Sequence, residues 1–291
     1  YNTTASYNSA FGHGALQNNT TGTQNVAVGT YSLDANSTGN YHVAIGYNAL
    51  TTNTTSERNT AVGQSALKLT TTGGYNTAVG QGAMNDNTTG GYNTAVGQAS
   101  LANNTTGTEN CAFGYMALNA PTGVSNLNAF GNEALEKNTT GTHNCAFGFR
   151  ALEECTTGSY NTCVGNYAAD DVTTGTYNTS LGYNTNGGVT NGDYNTAIGS
   201  GALANNGGAT GYNTAVGHNA LTAVTTGYSN VAIGVEDGDT LTTGQDNTYL
   251  VRVSYASGNS PTYETCVGAN VTGKGSNCLL YTSPSPRDEK V

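Results

Sequence analysis

Glu136, Glu153 and Asp170 recur at intervals of 17 residues, and Glu154 and Asp171 directly follow two of them. Five carboxylates so spaced could supply the oxygen ligands of a Ca²⁺ ion or the acid and base of a glycosidase. The competing reading is a set of solvated carboxylates on a turn, with Lys137 and Arg150 close by. His13, His42, His143 and His218 fall into three different positions of the same 17-residue period, so they predict surface histidines and no metal cluster. Cys111 and Cys145 are two periods apart, roughly 9–10 Å at strand spacing, which is too far for a disulfide. Cys155, Cys163 and Cys266 read as small buried fillers. The sequence assembles no Ser-His-Asp or Cys-His set and no phosphate loop, so neither an enzyme nor a cofactor is expected.

The period that places these residues is the dominant feature of the chain. Asn-Thr-Ala-Val-Gly and its variants recur with Gly at 12, 29, 46, 63, 80, 97, 114, 131, 148, 165, 182 and 199. One 18-residue step leads to Gly217, and Gly234, Val251 and Gly268 continue the series, giving 16 coils. The residue before this Gly is Val, Ile, Leu or Phe in all 16 coils, and the one before that is Ala in 12. Four places before the Gly, Asn stands in 13 coils, and four places after it Leu or Met stands in 11. Short β-branched alternations between turn residues predict strands, and the spacing offers no sustained helical period. One coil cannot bury enough surface to fold alone, so neighbours must share ladders and a core. The expected fold is an all-β parallel β-solenoid, or β-roll, with a 17-residue period.

Composition narrows the function classes. Charged residues make up 9% of the chain and the net charge is −10, with no basic stripe, which argues against nucleic acid. No apolar run reaches the ~20 residues of a membrane span, so no membrane insertion is expected. Alternation along each strand puts Thr77 and Val79 on one face and Asn76 and Ala78 on the other. Because both faces carry small or apolar residues, one should line the coil and the other should meet another surface, most simply another copy. The expectation is that the Val column (28, 45, 62, 79, 96) points inward and the Ala column meets the partner. A thin monomeric solenoid with an Ala-filled core is the alternative.

The recurring Asn-x-Ala-Val/Ile-Gly-x-x-Ala-Leu, as at 76–84, 93–101 and 213–221, resembles the head repeats of trimeric autotransporter adhesins. It is also similar to shafts of phage tail fibres and of large surface proteins that end in an intramolecular chaperone domain. The resemblance covers residues 1–277; this chain differs in a longer coil with an added Asn-Thr-Thr-Gly turn. It implies a left-handed β-roll, three chains about one axis and an extracellular fibre that contacts surfaces.

The functional expectation is therefore a structural or adhesive shaft segment whose partners are itself, as homotrimer or end-to-end polymer, and cell-surface glycans. The alternatives are a self-assembling filament, an ice-binding solenoid with Thr ladders, and a polysaccharide-active β-helix. Asn19, Asn36, Asn53, Asn87, Asn104 and Asn138 each open an Asn-x-Ser/Thr sequon in one column, which could line glycans along the outside; the same Asn and Thr could instead cap a turn. A Tyr stripe, including Tyr160, Tyr177, Tyr194 and Tyr212, reads as stacked packing rings or as a sugar platform. Residues 1–277 are expected to be a solenoid fragment with both natural ends missing. Residues 278–291, where the repeat stops, read as translated sequencing adapter, with a genuine polar C-terminal cap as the competing explanation.

Overall fold

The chain is an all-β parallel solenoid of about sixteen turns with a period of about 17 residues. The computed structural model describes residues 5–120, 123–188, 190–204 and 211–281. It divides into two compact units, residues 1–160 and 161–291. In the first unit, nine three-residue strands run from Ser9–Phe11 to Cys145–Phe147. Within this unit successive strands pair in parallel, as Thr77↔Thr94 and Ala78↔Ala95. The second unit repeats this from Thr162–Val164 to Thr265–Val267, and the 18-residue step stays in phase as Thr196↔Thr214. A small extra ladder joins Ser254–Tyr255 to Val271–Thr272. Leu279–Tyr281 pairs with Thr265–Val267 at a 14-residue offset, while residues 282–291 lie outside the described residues.

Each coil is turned by backbone that L-residues rarely adopt. The repeat Gly has φ near +135°, as at Gly80 (136°) and Gly97 (134°). A Cβ on Gly80 would lie 2.4 Å from the carbonyl oxygen of Gly97, so the column is closed to side chains by contact as well as by φ. Left-handed non-glycine residues recur beside it: Tyr92 (60°), Ala99 (54°) and Leu101 (51°) in one coil, with counterparts in its neighbours. Such residues are a few per cent of ordinary chains. Here the ladder offsets their cost: Leu101 N–H donates to Ala117 O (2.9 Å) one coil on and Ala99 N–H to Gln81 O (2.9 Å) one coil back.

The core is narrow and half polar. In a representative coil, Asn76, Ala78, Ala83, Met84 and Asn87 all point inward and are fully buried. The pairing of Asn76 with Ala78 on one face and Thr77 with Val79 on the other is as expected, but the assignment of inside and outside is reversed. The Ala column is buried from Ala27 to Ala146, whereas Val28, Ile45 and Val79 are 36–39% exposed. Volume decides it: the Leu and Asn columns fill most of the coil, so the strand opposite takes a small side chain, Ala in 12 coils. The Ala-filled interior of the thin-solenoid alternative is the one observed. What remains outside is an apolar row, with Phe113, Phe130 and Phe147 stacked at 4.9 and 4.3 Å between centroids.

Asn side chains close each coil. Asn93 Nδ2 donates to Gly107 O (2.9 Å) in its own coil, and Asn93 Oδ1 accepts Asn110 N–H (3.0 Å) in the next. Replacing Asn93 by Ala should therefore destabilise this region by about 2–4 kcal/mol, since a buried N–H loses its acceptor. Native-state hydrogen exchange checks this, with faster exchange expected first at the amide of Asn110.

Candidate functional site

The acidic patch forms, with different membership from that expected. Glu136 and Glu153 are joined by Glu133, and one oxygen from each of the three lies within 4.8 Å of the others. Arg150 Nε sits 2.6 Å from Glu133 Oε2 and 3.4 Å from Glu153 Oε2. Lys137 Nζ lies 3.6 Å from Glu153 Oε1 and also pairs with Glu154. Burial, then the charges of Glu133 and Glu153, push the Glu136 carboxyl above its ordinary range. Two basic side chains already supply the positive charge such a cluster attracts, so it is a partly exposed ion-pair network of modest energetic weight. Asp170 and Asp171 belong to the second unit, half-buried and exposed respectively. Glu133 was legible in principle, because it stands one period before Arg150 and gives that column an opposite-charge pair.

The six sequon asparagines point inward and are at most 2% exposed. Asn36 Nδ2 donates to Asn19 Oδ1 (2.9 Å) and Asn53 Nδ2 to Asn36 Oδ1 (2.8 Å), while Asn19 Nδ2 donates to Gly22 O (2.9 Å). A glycan on Nδ2 has no room inside such a coil, so this geometry does not carry a line of sugars along the outside. The hydrogen bonds describe the turn-capping alternative.

The histidine expectation needs a correction at one position. His42 occupies the inner Asn column and is fully buried. Its Nδ1 accepts Asn59 N–H (3.1 Å), which makes Nε2 the protonated nitrogen, donating to Ser56 O (2.8 Å). An imidazole thus imitates the Asn it replaces, one nitrogen accepting from the next coil and the other donating within its own. The exposed aromatic rings behave as packing groups. Tyr177, Tyr194 and Tyr212 stack at 5.0 Å, and the Arg58 guanidinium lies 5.1 and 5.2 Å from the rings of Tyr41 and Tyr75. Stacking covers the faces that meet, while each ring remains exposed.

One buried constellation was not anticipated. Tyr249 stands in the Ala column, fully buried, and Gly238 stands where Leu is usual. A Cβ on Gly238 would lie 2.9 Å from the Tyr249 ring, so the missing side chain makes room for it. Tyr249 Oη donates to Glu264 Oε2 (3.0 Å), and Glu264, in the Asn column, also accepts Ser257 N–H (3.1 Å) and Gly275 N–H (3.0 Å). Burial, then Glu264, pushes the Tyr249 hydroxyl well above its ordinary value, and burial first pushes the Cys266 thiol up to about 11. Cys155 and Cys163 are buried too, as expected, with burial lifting the Cys155 thiol to about 12. Compensating volumes and satisfied hydrogen bonds make this a packing arrangement.

Comparison with family models, with curated proteins and with solved structures finds no match to this chain. Among the described residues, no helix is long and apolar enough to cross a membrane.

Burial lowers the pKa of His42 to about 4. The unfolded chain, with an ordinary value near 6.5, therefore takes up a proton that the folded coil refuses. The sign is fixed: the stability His42 contributes is complete above pH 6.5 and is lost as pH falls towards 4, by about 3 kcal/mol in all. His42→Asn, the residue usual at this position, should flatten that slope. Urea midpoints measured for both proteins across this pH range check it.

Proposed function

We propose that the chain is a structural and adhesive shaft segment of an extracellular fibre, assembled from copies of itself. The observation that carries this reading is the outward apolar column. Val, Ile, Leu or Phe follows in register at each coil, next to half-buried Thr and Val, on a face with little charge. Exposed apolar rows of this kind favour a contact. A partner whose side chains repeat at the same ~4.8 Å strand spacing meets every one of them, and a second copy of the chain has that repeat by construction. The resemblance to trimeric autotransporter adhesin heads supports three chains about one axis. The same face supports an end-to-end or lateral filament as the alternative assembly.

The buried Ala-Leu-Asn core supports a shaft rather than a catalyst, because the inward columns leave the chain's chemistry on its outer rows. No catalytic step, cofactor or metal is assigned to it. The low charge and the ladder of turn hydroxyls, in which Thr88 Oγ1 donates to Thr105 O (2.9 Å), suit a self-stacking scaffold.

Val79→Glu combined with Val96→Glu tests the assembly. These side chains point outward, so circular dichroism should be unchanged and stability should move by no more than about 1 kcal/mol. Sedimentation of the parent chain should show an oligomer that the double variant converts to monomer. A parent chain that sediments as a monomer at every concentration defeats the reading. Electron micrographs separate discrete trimers from filaments.

A further inference from the structure

We infer that the notch beside Tyr75 and Tyr92 is a binding site for a neutral saccharide. This gives the adhesive half of the fibre reading a ligand class. The notch arises from one column, the residue preceding the Tyr position. In several other coils that column carries Asn, Ser or Asp, whose side chain accepts the backbone N–H of its counterpart one coil back. Thr23 N–H donates to Asn40 Oδ1 (2.7 Å), Thr108 N–H to Ser125 Oγ (2.9 Å) and Thr142 N–H to Ser159 Oγ (3.0 Å).

The column holds Gly at 74, 91 and 211, and only Gly74 and Gly91 fall in successive coils. With those side chains missing, the N–H groups of Glu57 and Gly74 make no hydrogen bond within the chain. They lie at the place the side chains would occupy: a Cβ on Gly74 would be 3.5 Å from Glu57 N, and one on Gly91 3.8 Å from Gly74 N. The result is a shallow groove of about 440 Å³, bounded by Glu57 at one end and Thr108 at the other, with Thr72 and Thr89 along one wall.

The chemistry of the walls selects the ligand. Two N–H donors stand one coil apart, so the ligand must offer two acceptors at about 4.8 Å. The neighbouring carbonyls are engaged: Glu57 O accepts Tyr75 N–H (3.0 Å) and Gly74 O accepts Tyr92 N–H (3.1 Å). A peptide strand, which must donate as well as accept, therefore finds only half its partners. The Glu57 carboxylate and a net charge of −10 disfavour an anion. A polyhydroxylated ring fits both requirements, with oxygens accepting from the two amides and hydroxyls donating to Glu57 and the exposed Thr side chains. The exposed rings of Tyr75 and Tyr92 supply an apolar flank.

The test is an amide-resolved NMR titration of the full chain with chitotetraose, cellotetraose and maltotetraose at millimolar concentration. At least one should shift the Glu57 and Gly74 amides. Gly74 and Gly91 have ordinary φ, though a Cβ at either lies 2.9 Å from the carbonyl oxygen one coil back and asks for a small shift. Gly74→Ser with Gly91→Ser introduces the side chain that accepts at Ser125 and Ser159 and should weaken binding about tenfold or more. Thr89→Val, a change confined to an exposed hydroxyl, should weaken it in a chain whose fold is undisturbed. Three tetrasaccharides that leave both amides unmoved would overturn the inference, as would binding retained by both variants. Slow exchange of these two amides in sugar-free oligomer, lost on dilution to monomer, would also overturn it by making the notch a copy-to-copy contact. Sedimentation of the same samples reports self-association separately, so failure here and failure of the fibre assembly are distinguishable.

Discussion

A 17-residue coil is too small to satisfy its own backbone, and the inner Asn ladder resolves that problem. Strands of three residues leave most of each turn outside regular pairing, yet a buried N–H or C=O without a partner is costly. Asn is suited to the gap because its amide both donates and accepts. Asn76, Asn93 and Asn110 each hand Nδ2 to a carbonyl in their own coil and Oδ1 to the N–H of the next. One side chain thereby fixes both the closure of a coil and its registration on its neighbour. The exceptions obey the same rule. His42 keeps one donor and one acceptor, and Glu264 keeps the acceptors while backbone N–H groups and the Tyr249 hydroxyl supply the donors.

The unusual backbone follows from that constraint. A coil whose amides must point up and down the stack needs residues of alternating hand, and left-handed Leu, Tyr and Ala supply it where Gly does not. Each such residue is unfavourable on its own. The cost is bearable because neighbours impose the conformation on one another through the interstrand bonds. Cooperativity is thus built into the chain at the level of single dihedrals, in keeping with a repeat architecture that cannot fold one unit at a time.

The period, the strands, their parallel register and the pairing of Asn76 with Ala78 against Thr77 with Val79 were all legible in the residues. Which face was inside was not, because hydrophobicity ranks Val above Ala whereas a tight coil ranks by volume. The inward Leu column and the two Asn columns held the decisive clue, since they already occupy the interior. The sequons misled for a related reason: Asn-x-Thr is shared by glycan acceptors and by turns whose Asn faces in. His42 could have been recognised from its column, which is Asn in 13 coils; composition alone suggested the surface. Within the acidic patch, Glu133 was hidden because like charges were sought down a column, while the structure gathers charges from three different columns.

Once the inward columns are committed to closing and stacking the coils, variation is free only on the outer rows, and the chain uses it there. Phe replaces Val at three successive coils, carboxylates alternate with Lys137 and Arg150, and two glycines open the row beside Tyr75 and Tyr92. Each departure leaves the hydrogen-bonded interior of its coil intact. A scaffold of this kind can change what it touches without changing how it stands, because a surface residue is answerable only to its counterparts one coil away. The Gly74–Gly91 gap illustrates the limit of that freedom: with no side chain at either position, the N–H groups of Glu57 and Gly74 go without a partner in the chain, a cost the ladder bears on both sides of the gap.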